Sequence, residues 1–62
     1  MRWELFEVIE VDASGFACVY DTTQSLKEAK ELAQQLLTDG AVEVIINREV
    51  DDAVEEVIRM AA

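Results

Sequence analysis

One stretch, residues 25–40, restricts the fold of this chain more than any other. Its apolar side chains recur every three or four residues, which is the spacing of one face of an α-helix, while charged and amide side chains occupy the other face. Ser25 followed by Glu28 is a capping box, and Gly40 supplies the left-handed residue that ends many helices. The pattern predicts an amphipathic helix, which needs a second apolar surface to cover its stripe.

The remaining segments predict three strands and a second helix. Residues 3–11 and 16–21 are rich in aromatic and β-branched side chains around a turn sequence, and residues 41–47 are densely apolar. A bulge near Glu7 would reconcile the imperfect alternation of the first strand. Asp51 or Asp52 is expected to open a second helix towards the C-terminus, because acidic residues complement the positive end of a helix dipole.

These elements predict an α+β fold in the order ββαβα, a three-stranded antiparallel sheet with two helices packed on one face. Residues 1–62 allow a single acidic α+β domain and no more. Strand 1 is expected in the middle of the sheet, antiparallel to strand 3. A protein this small has little room for a catalytic cleft, and oligomerisation is a natural supplement to its stability.

In that layout the sheet face opposite the helices is uncovered. Depending on register, it would carry Phe6, Val8 and Ile45 in the middle. The carboxylates of Glu4, Glu10 and Glu43 would surround these apolar residues. An apolar patch with an acidic rim is typical of a protein–protein contact surface. Homodimerisation through this face and incidental exposure of apolar residues are the alternatives.

The charge balance points to a protein partner. Fourteen acidic against five basic residues give a net charge of −9. Nucleic acid and anionic membranes are not expected as direct ligands, because binding either requires clustered Lys and Arg. A basic protein is the partner that the sign favours, and a surface that serves only solubility is the alternative. One cysteine, no signal-peptide pattern and no apolar run of about 18 residues predict a cytoplasmic protein.

No motif for catalysis or cofactor binding is present. The chain lacks histidine, and Cys18 has no candidate base beside it, so a buried apolar role in the second strand is expected for this thiol. The carboxylates of residues 51–56 are dense enough to attract a divalent cation loosely, but they lack the pattern of a calcium loop. We therefore expect no enzyme activity, no cofactor and no metal.

The spacing of the carboxylates is more informative. Neighbours at i and i+3 or i+4 on a helix lie about 5–6 Å apart, and alternate strand residues about 6.6 Å apart. Phosphates along DNA are separated by a similar distance. The sequence thus predicts a surface that imitates nucleic-acid charge and binds a basic, nucleic-acid-binding protein. Its predicted residues are Glu4, Glu10, Glu28, Glu31, Glu43, Asp51, Asp52, Glu55 and Glu56.

With these residues on a small, free-standing, acidic α+β scaffold, the chain resembles the phage-encoded anti-CRISPR proteins. It looks most like the acidic inhibitors of the type I surveillance complex, Cascade. The resemblance rests on size, sign of charge and element order, and it transfers no functional residue. It implies a non-enzymatic inhibitor in the host cytosol that occupies the positively charged path of the target DNA.

A second resemblance is to compact designed α/β proteins, which share the clean helix caps. The unpaired Cys18, Met60 and the large net charge differ from a designer's usual choices. This resemblance implies a structural or self-associating module, natural or designed, that has no specific effector.

Overall fold

The structure, a computed structural model, describes residues 3–62 and places five elements in the order ββαββ. They are β1 (Glu4–Val11), β2 (Ala17–Thr23), α1 (Leu26–Thr38), β3 (Glu43–Val50) and β4 (Ala53–Ala61). The strands form one antiparallel sheet in the order β2-β1-β3-β4, and α1 packs on one of its faces. One helix therefore covers a sheet of four strands.

The predicted ββαβα fold is wrong in its C-terminal part. Residues 53–61 form strand β4 and not a helix, so the sheet has four strands and only one helix packs on it. The expected placement of β1 between β2 and an antiparallel β3 is confirmed. The apolar residues of this segment lie mostly exposed along the sheet edge, Val54 and Val57 among them.

The turn before β4 explains why this segment is a strand. Asp51 and Asp52 have φ values of 47° and 72°, and the flanking residues Val50 and Ala53 pair with each other. Asp51 and Asp52 therefore form the two-residue loop of a hairpin with a type I′ turn. The ladder between β3 and β4 shifts by one residue at Val57. That bulge moves Ile58 and Met60 to the helix side, and the resulting apolar spacing imitates the period of a helix.

The predicted helix is confirmed at both of its ends. The Ser25 hydroxyl oxygen accepts a hydrogen bond from the N–H of Glu28 at 3.4 Å. At the other end, Gly40 has φ of 113°, and the N–H of Ala41 donates to the carbonyl of Leu36 at 2.9 Å. Together with the bond from the N–H of Gly40 to the carbonyl of Leu37 at 3.3 Å, the Ala41 bond forms a Schellman motif, which ends the helix and directs the chain into β3.

The core lies between α1 and the two inner strands. Small alanines on the helix, Ala29 and Ala33, let it approach the sheet closely, and both are fully buried. The core consists of Phe6, Val8, Ala29, Ala33, Leu36, Ala41, Val44 and Ile46. Within β2 only Thr23 is buried, and in β4 no residue is. The edge strands therefore lie outside the core.

The predicted content of the uncovered sheet face is wrong for four of its six residues. Phe6 and Val8 point towards α1 and are core residues. Glu4 and Glu10 share their side of the sheet, because side chains alternate along a strand. Ile45 and Glu43 do lie on the uncovered face, where Ile45 pairs with Ile9 and Glu43 with Val11. We call this surface the open face; its half-buried apolar residues are Leu5, Ile9, Val11 and Ile45.

The expected bulge near Glu7 is also misplaced. Strand β1 pairs with β3 without interruption, and its side chains alternate regularly. The extra residue is Tyr20 in β2, because Val8 pairs with Asp21 whereas Ile9 pairs with Val19. The irregularity therefore lies in the edge strand, where a bulge disturbs fewer hydrogen bonds.

Neighbouring isoleucines in β3 test this register. Ile46 is fully buried under α1, whereas Ile45 is half-buried on the open face. We expect Ile46→Val to lower the free energy of unfolding by about 1 kcal/mol. Ile45→Val is the matched control and should cost less than half as much. Urea denaturation of the two variants measures both values, and a larger loss for Ile45→Val would contradict the register.

The hairpin turn gives a second prediction. Asp52 occupies the left-handed region, in which glycine is favoured over alanine by about 1–2 kcal/mol. The variants Asp52→Gly and Asp52→Ala remove the same carboxylate, so the difference between their unfolding free energies isolates the backbone. We expect Asp52→Gly to be the more stable by about 1 kcal/mol. Equal stabilities in thermal denaturation would argue against the turn.

Candidate functional site

The nine predicted carboxylates do not form one continuous face. Four of them form ion pairs with two arginines, which offset two of the four negative charges. Arg48 binds Glu4 and Glu55, and Arg59 binds Glu43 and Glu56. The other five are spread over the helix, the β3–β4 turn and the helix-side surface of β1, and they are Glu10, Glu28, Glu31, Asp51 and Asp52.

The two arginines stabilise the sheet across its strands. Arg59 in β4 donates from Nη1 to Glu43 of β3 at 2.8 Å and from Nη2 to Glu56 at 2.7 Å. The hydrogen bond from Arg59 holds the pKa of the Glu56 carboxyl below its ordinary value. Arg48 in β3 joins Glu4 of β1 to Glu55 of β4 in the same way. These carboxylates therefore already have partners within the chain.

The carboxylates of the β3–β4 hairpin do not have the helical spacing from which the sequence predicts phosphate mimicry. Asp51 and Asp52 lie in the turn, and Glu55 and Glu56 point to opposite faces of β4. The Oδ1 atom of Asp51 accepts a hydrogen bond from the N–H of Trp3 at 3.4 Å. The i, i+4 separations expected for a helix do not apply here. Glu28 and Glu31 keep that spacing, because they do lie on a helix.

A groove between α1 and β2 gathers carboxylates that have no ion pair in the described part of the chain. It has a volume of about 420 Å³ and is lined by Asp21, Thr22, Thr23, Glu28, Glu31, Leu32 and Gln35. We call it the acidic groove. Among residues 3–62 no Lys or Arg nitrogen lies within 4.0 Å of the Asp21, Glu28 or Glu31 carboxylates. Three negative charges are therefore concentrated beside the sheet edge.

The acidic groove continues into a neighbouring recess. That recess, about 520 Å³, shares Thr22, Thr23 and Glu28 with the groove and extends to Trp3 and Glu4. Its described lining contains no basic residue. Glu28 contributes its charge to both recesses, whereas the charge of Glu4 is offset by its ion pair with Arg48.

The sequence of α1 fixes which side of the helix is acidic. At about 100° per residue, Glu28, Glu31 and Leu32 fall on the flank that faces β2. Lys27 and Lys30 fall on the flank that turns away from it. Lys27 lies one helical turn before Glu31, but the two charges are not paired within 4.0 Å in the described part of the chain. One flank of the helix is thus acidic and the other is basic.

Strand β2 presents exposed apolar side chains at the same edge. The exposed fractions are 68% for Phe16, which precedes the strand, 53% for Val19 and 54% for Tyr20. Cys18 is exposed as well, so its predicted role as a buried apolar residue is wrong. The reason is that α1 passes over β1 and β3 and reaches β2 only near Thr23.

The turn between β1 and β2 is built around one carboxylate. The Oδ1 atom of Asp12 accepts hydrogen bonds from the N–H groups of Ser14 at 2.9 Å and Phe16 at 3.1 Å, and from the Ser14 hydroxyl at 2.6 Å. The bond from the Ser14 side chain contributes most to holding the pKa of Asp12 below its ordinary value. Gly15, with φ of 86°, closes the turn. Asp12 is therefore a structural carboxylate, whose Oδ1 atom holds the turn together.

Sequence reasoning found two of the three carboxylates of the acidic groove and missed the third. Glu28 and Glu31 were predicted as partner-binding residues, whereas Asp21 was assigned only to the end of a strand. Its position beside α1 follows from its pairing with Val8, a long-range contact that local pattern does not contain. No group of three or more His, Cys, Asp or Glu side chains among residues 3–62 is arranged to hold a metal ion.

The fold and the surface define a small acidic ββαββ protein with an open groove beside one sheet edge. Comparison with known proteins returned no matching family model, no similar curated protein and no similar solved structure. Within residues 3–62, no helix is long and apolar enough to cross a membrane.

The Asp12 turn gives a prediction with a definite pH dependence. Its folded pKa lies below the ordinary value of 3.8, so its contribution to stability is complete above that value and is lost as the pH falls through the folded pKa. Asp12→Asn keeps an oxygen acceptor but loses the charge. We expect this variant to be less stable than the wild type at neutral pH and the difference to disappear in acid.

The control for this measurement is Glu31→Gln, which changes the net charge equally at an exposed position that has no ion pair within residues 3–62. It should leave stability almost unchanged or raise it slightly, because it relieves repulsion. Urea denaturation at a series of pH values gives both curves. An Asp12→Asn deficit that persists unchanged into acid would contradict the assigned role of the charge.

Proposed function

We propose that this chain is a non-enzymatic protein that binds a basic protein surface through its carboxylates. The observation that carries the proposal is the acidic groove, where Asp21, Glu28 and Glu31 concentrate charge that no described residue neutralises. Desolvating such a cluster is favourable only when a partner brings opposite charge. The net charge of −9 would accelerate the encounter at low salt.

The most specific form of this proposal is inhibition of a Cascade-type CRISPR complex. It comes from the resemblance to acidic anti-CRISPR proteins, in which the chain would occupy a basic path made for DNA. Glu28 and Glu31 support it, since their helical spacing is close to that of successive phosphates. Asp51, Asp52, Glu55 and Glu56 support it less than the sequence suggested, because they lie in a hairpin and two of them are ion-paired.

Competition with DNA tests the proposal. The chain should displace a labelled target DNA from a purified Cascade-type complex, and the displacement should weaken steeply as salt is raised, because charge pairing drives it. The double variant Glu28→Gln, Glu31→Gln should weaken displacement by roughly tenfold, equivalent to about 1.4 kcal/mol. Lys27→Gln, Lys30→Gln is the control on the same helix and should compete at least as well as the wild type.

Two outcomes separate the proposal of a Cascade-type partner from the broader proposal of a basic protein partner. Failure to displace DNA while other basic proteins still bind in a salt-dependent manner would remove Cascade as the partner and keep the binding function. No salt-dependent binding to any basic protein would remove the binding function as well. Circular dichroism of each variant confirms that the fold is kept.

The second candidate function is a self-associating structural module. The open face favours it, because Leu5, Ile9, Val11 and Ile45 form an apolar stripe that α1 does not cover. Exposed apolar stripes of this kind are buried in homodimers. Phe6 has no part in such an interface, since it belongs to the core.

Sedimentation over a range of protein concentrations tests self-association. If the open face is the interface, the mass should rise with concentration, and Ile45→Asp should keep the protein monomeric. Gln34→Asp adds the same charge at an exposed position of α1, on the side of the sheet opposite the open face, and is the control. A monomeric mass at all concentrations would rule this candidate out.

A further inference from the structure

We propose that β2 accepts an extended, basic peptide segment of the partner as an added strand, with Lys or Arg side chains directed into the acidic groove. This inference rests on the proposed function and specifies where and how the basic partner binds. Three independent features carry it: the unpaired edge of β2, the groove that runs beside that edge, and the apolar side chains exposed along it.

The first feature is the edge itself. Strand β2 is the outermost strand of the sheet on its side, so the backbone groups that point away from β1 have no strand partner among residues 3–62. Such groups are a template for strand addition. The N–H of Thr22 is the exception, because it donates to the Oδ1 atom of Asp21 at 2.8 Å and an added strand would have to displace that bond. Proteins usually protect an edge with charged side chains or proline. In β2 the only charged residue is Asp21, whereas β4 carries Glu55, Glu56 and Arg59 along its length.

The bulge at Tyr20 limits the length of the docked segment. It interrupts the regular alternation of β2 between Val19 and Asp21. A docked strand in register with Asp21–Thr23 would lie beside the acidic groove, because Thr22 and Thr23 line it. The segment is therefore short, and backbone pairing alone does not select its sequence.

The acidic groove selects the sequence of the docked segment. An added strand would lie about 4.8 Å beyond β2, and every second side chain would point to the helix side of the sheet. On that side it meets the carboxylates of Asp21 and Glu28, with Glu31 further out on the helix. Leu32 offers an apolar contact to the methylene stem of a Lys or Arg side chain, whose charged end then reaches the carboxylates.

The apolar residues of β2 complete the pattern. Val19 pairs with Ile9 and therefore lies on the open face, next to its apolar stripe. The alternate side chains of a docked strand would face this surface. The partner segment is thus expected to alternate basic and apolar residues in an extended conformation.

Charge argues against a second copy of the chain as the occupant. Each copy carries a net charge of −9, and antiparallel pairing of two β2 edges would bring two Asp21 carboxylates and two acidic grooves to one junction. Like charges placed opposite each other in a sheet are destabilising. A basic segment removes the same repulsion, so it fits the edge better.

A titration followed by amide chemical shifts tests the inference. The probe is a short capped peptide of alternating Lys and Val, added to the ¹⁵N-labelled full chain. We expect its largest shifts at Ala17–Thr23 and along the groove flank of α1. Glu28→Gln, Glu31→Gln should weaken binding by roughly tenfold, a loss of about 1.4 kcal/mol. Lys27→Gln, Lys30→Gln should not weaken it.

A second peptide separates strand addition from simple charge attraction. The same Lys–Val sequence, N-methylated at alternate backbone nitrogens, keeps its charge but cannot donate hydrogen bonds to the edge of β2 in one register. We expect it to bind at least about tenfold more weakly than the parent peptide, because the added strand is held by backbone hydrogen bonds. Equal affinities would overturn the inference.

The location of binding distinguishes the failure of this inference from the failure of the proposed function. Salt-dependent binding with shifts confined to other carboxylates, such as Asp51 and Asp52, would overturn strand addition and keep the basic partner. No binding of the Lys–Val peptide at low salt would overturn strand addition, and the proposed function would fall with it only if basic proteins also failed to bind. Shifts in β2 that depend on protein concentration without peptide would show that a second copy occupies the edge, which also overturns the inference.

Discussion

Burial of four side chains from the two inner strands beneath a single helix is the interaction on which the whole structure depends. Phe6, Val8, Val44 and Ile46 provide the sheet side of this contact, and alanines on α1 allow the helix to come close. A helix is about 10 Å wide and strands lie about 4.8 Å apart, so one helix covers about two strands. Its thirteen residues span about 20 Å, against a longest molecular dimension of 39 Å. The edge strands and the hairpin ends are therefore exposed as a direct result of the small core.

The two exposed edge strands, β2 and β4, differ in the number and the ion pairing of the charged side chains near them. The two edges of the sheet therefore present different surfaces. Along β4, Glu55 pairs with Arg48 of β3 and Glu56 with Arg59 of the same strand, and such charges discourage a further strand. Along β2, the edge carries one charge and lies beside carboxylates that have no ion pair among residues 3–62. The carboxylates that we propose bind a partner thus differ from the structural ones in their ion pairs and not in their number. The negative charge alone did not reveal this distinction.

Sequence reasoning succeeded where local signals decide the structure and failed where pairing decides it. The capping box at Ser25 and the Gly40 stop define α1 by themselves, and the turn at Asp12 separates β1 from β2. Strand β4 was mistaken for a helix because the bulge at Val57 gives its apolar residues a helical spacing. The prediction assigns the two faces of β1 the wrong way round, because that strand has apolar residues at both odd and even positions. Only the pairing of Val8 with Ile46 shows which face packs against α1. Asp21 was missed for the same reason.

Amide hydrogen exchange on the dilute, unliganded chain tests this account most directly, because it reports which strands have partners. The account predicts the slowest exchange in β1 and β3, a strand-like pattern of alternating protection in residues 53–61, and fast exchange of the β2 amides that point away from β1. Continuous, helix-like protection across residues 53–61 would contradict the four-stranded sheet. Protection of the outward β2 amides equal to that of β1 would contradict the open edge.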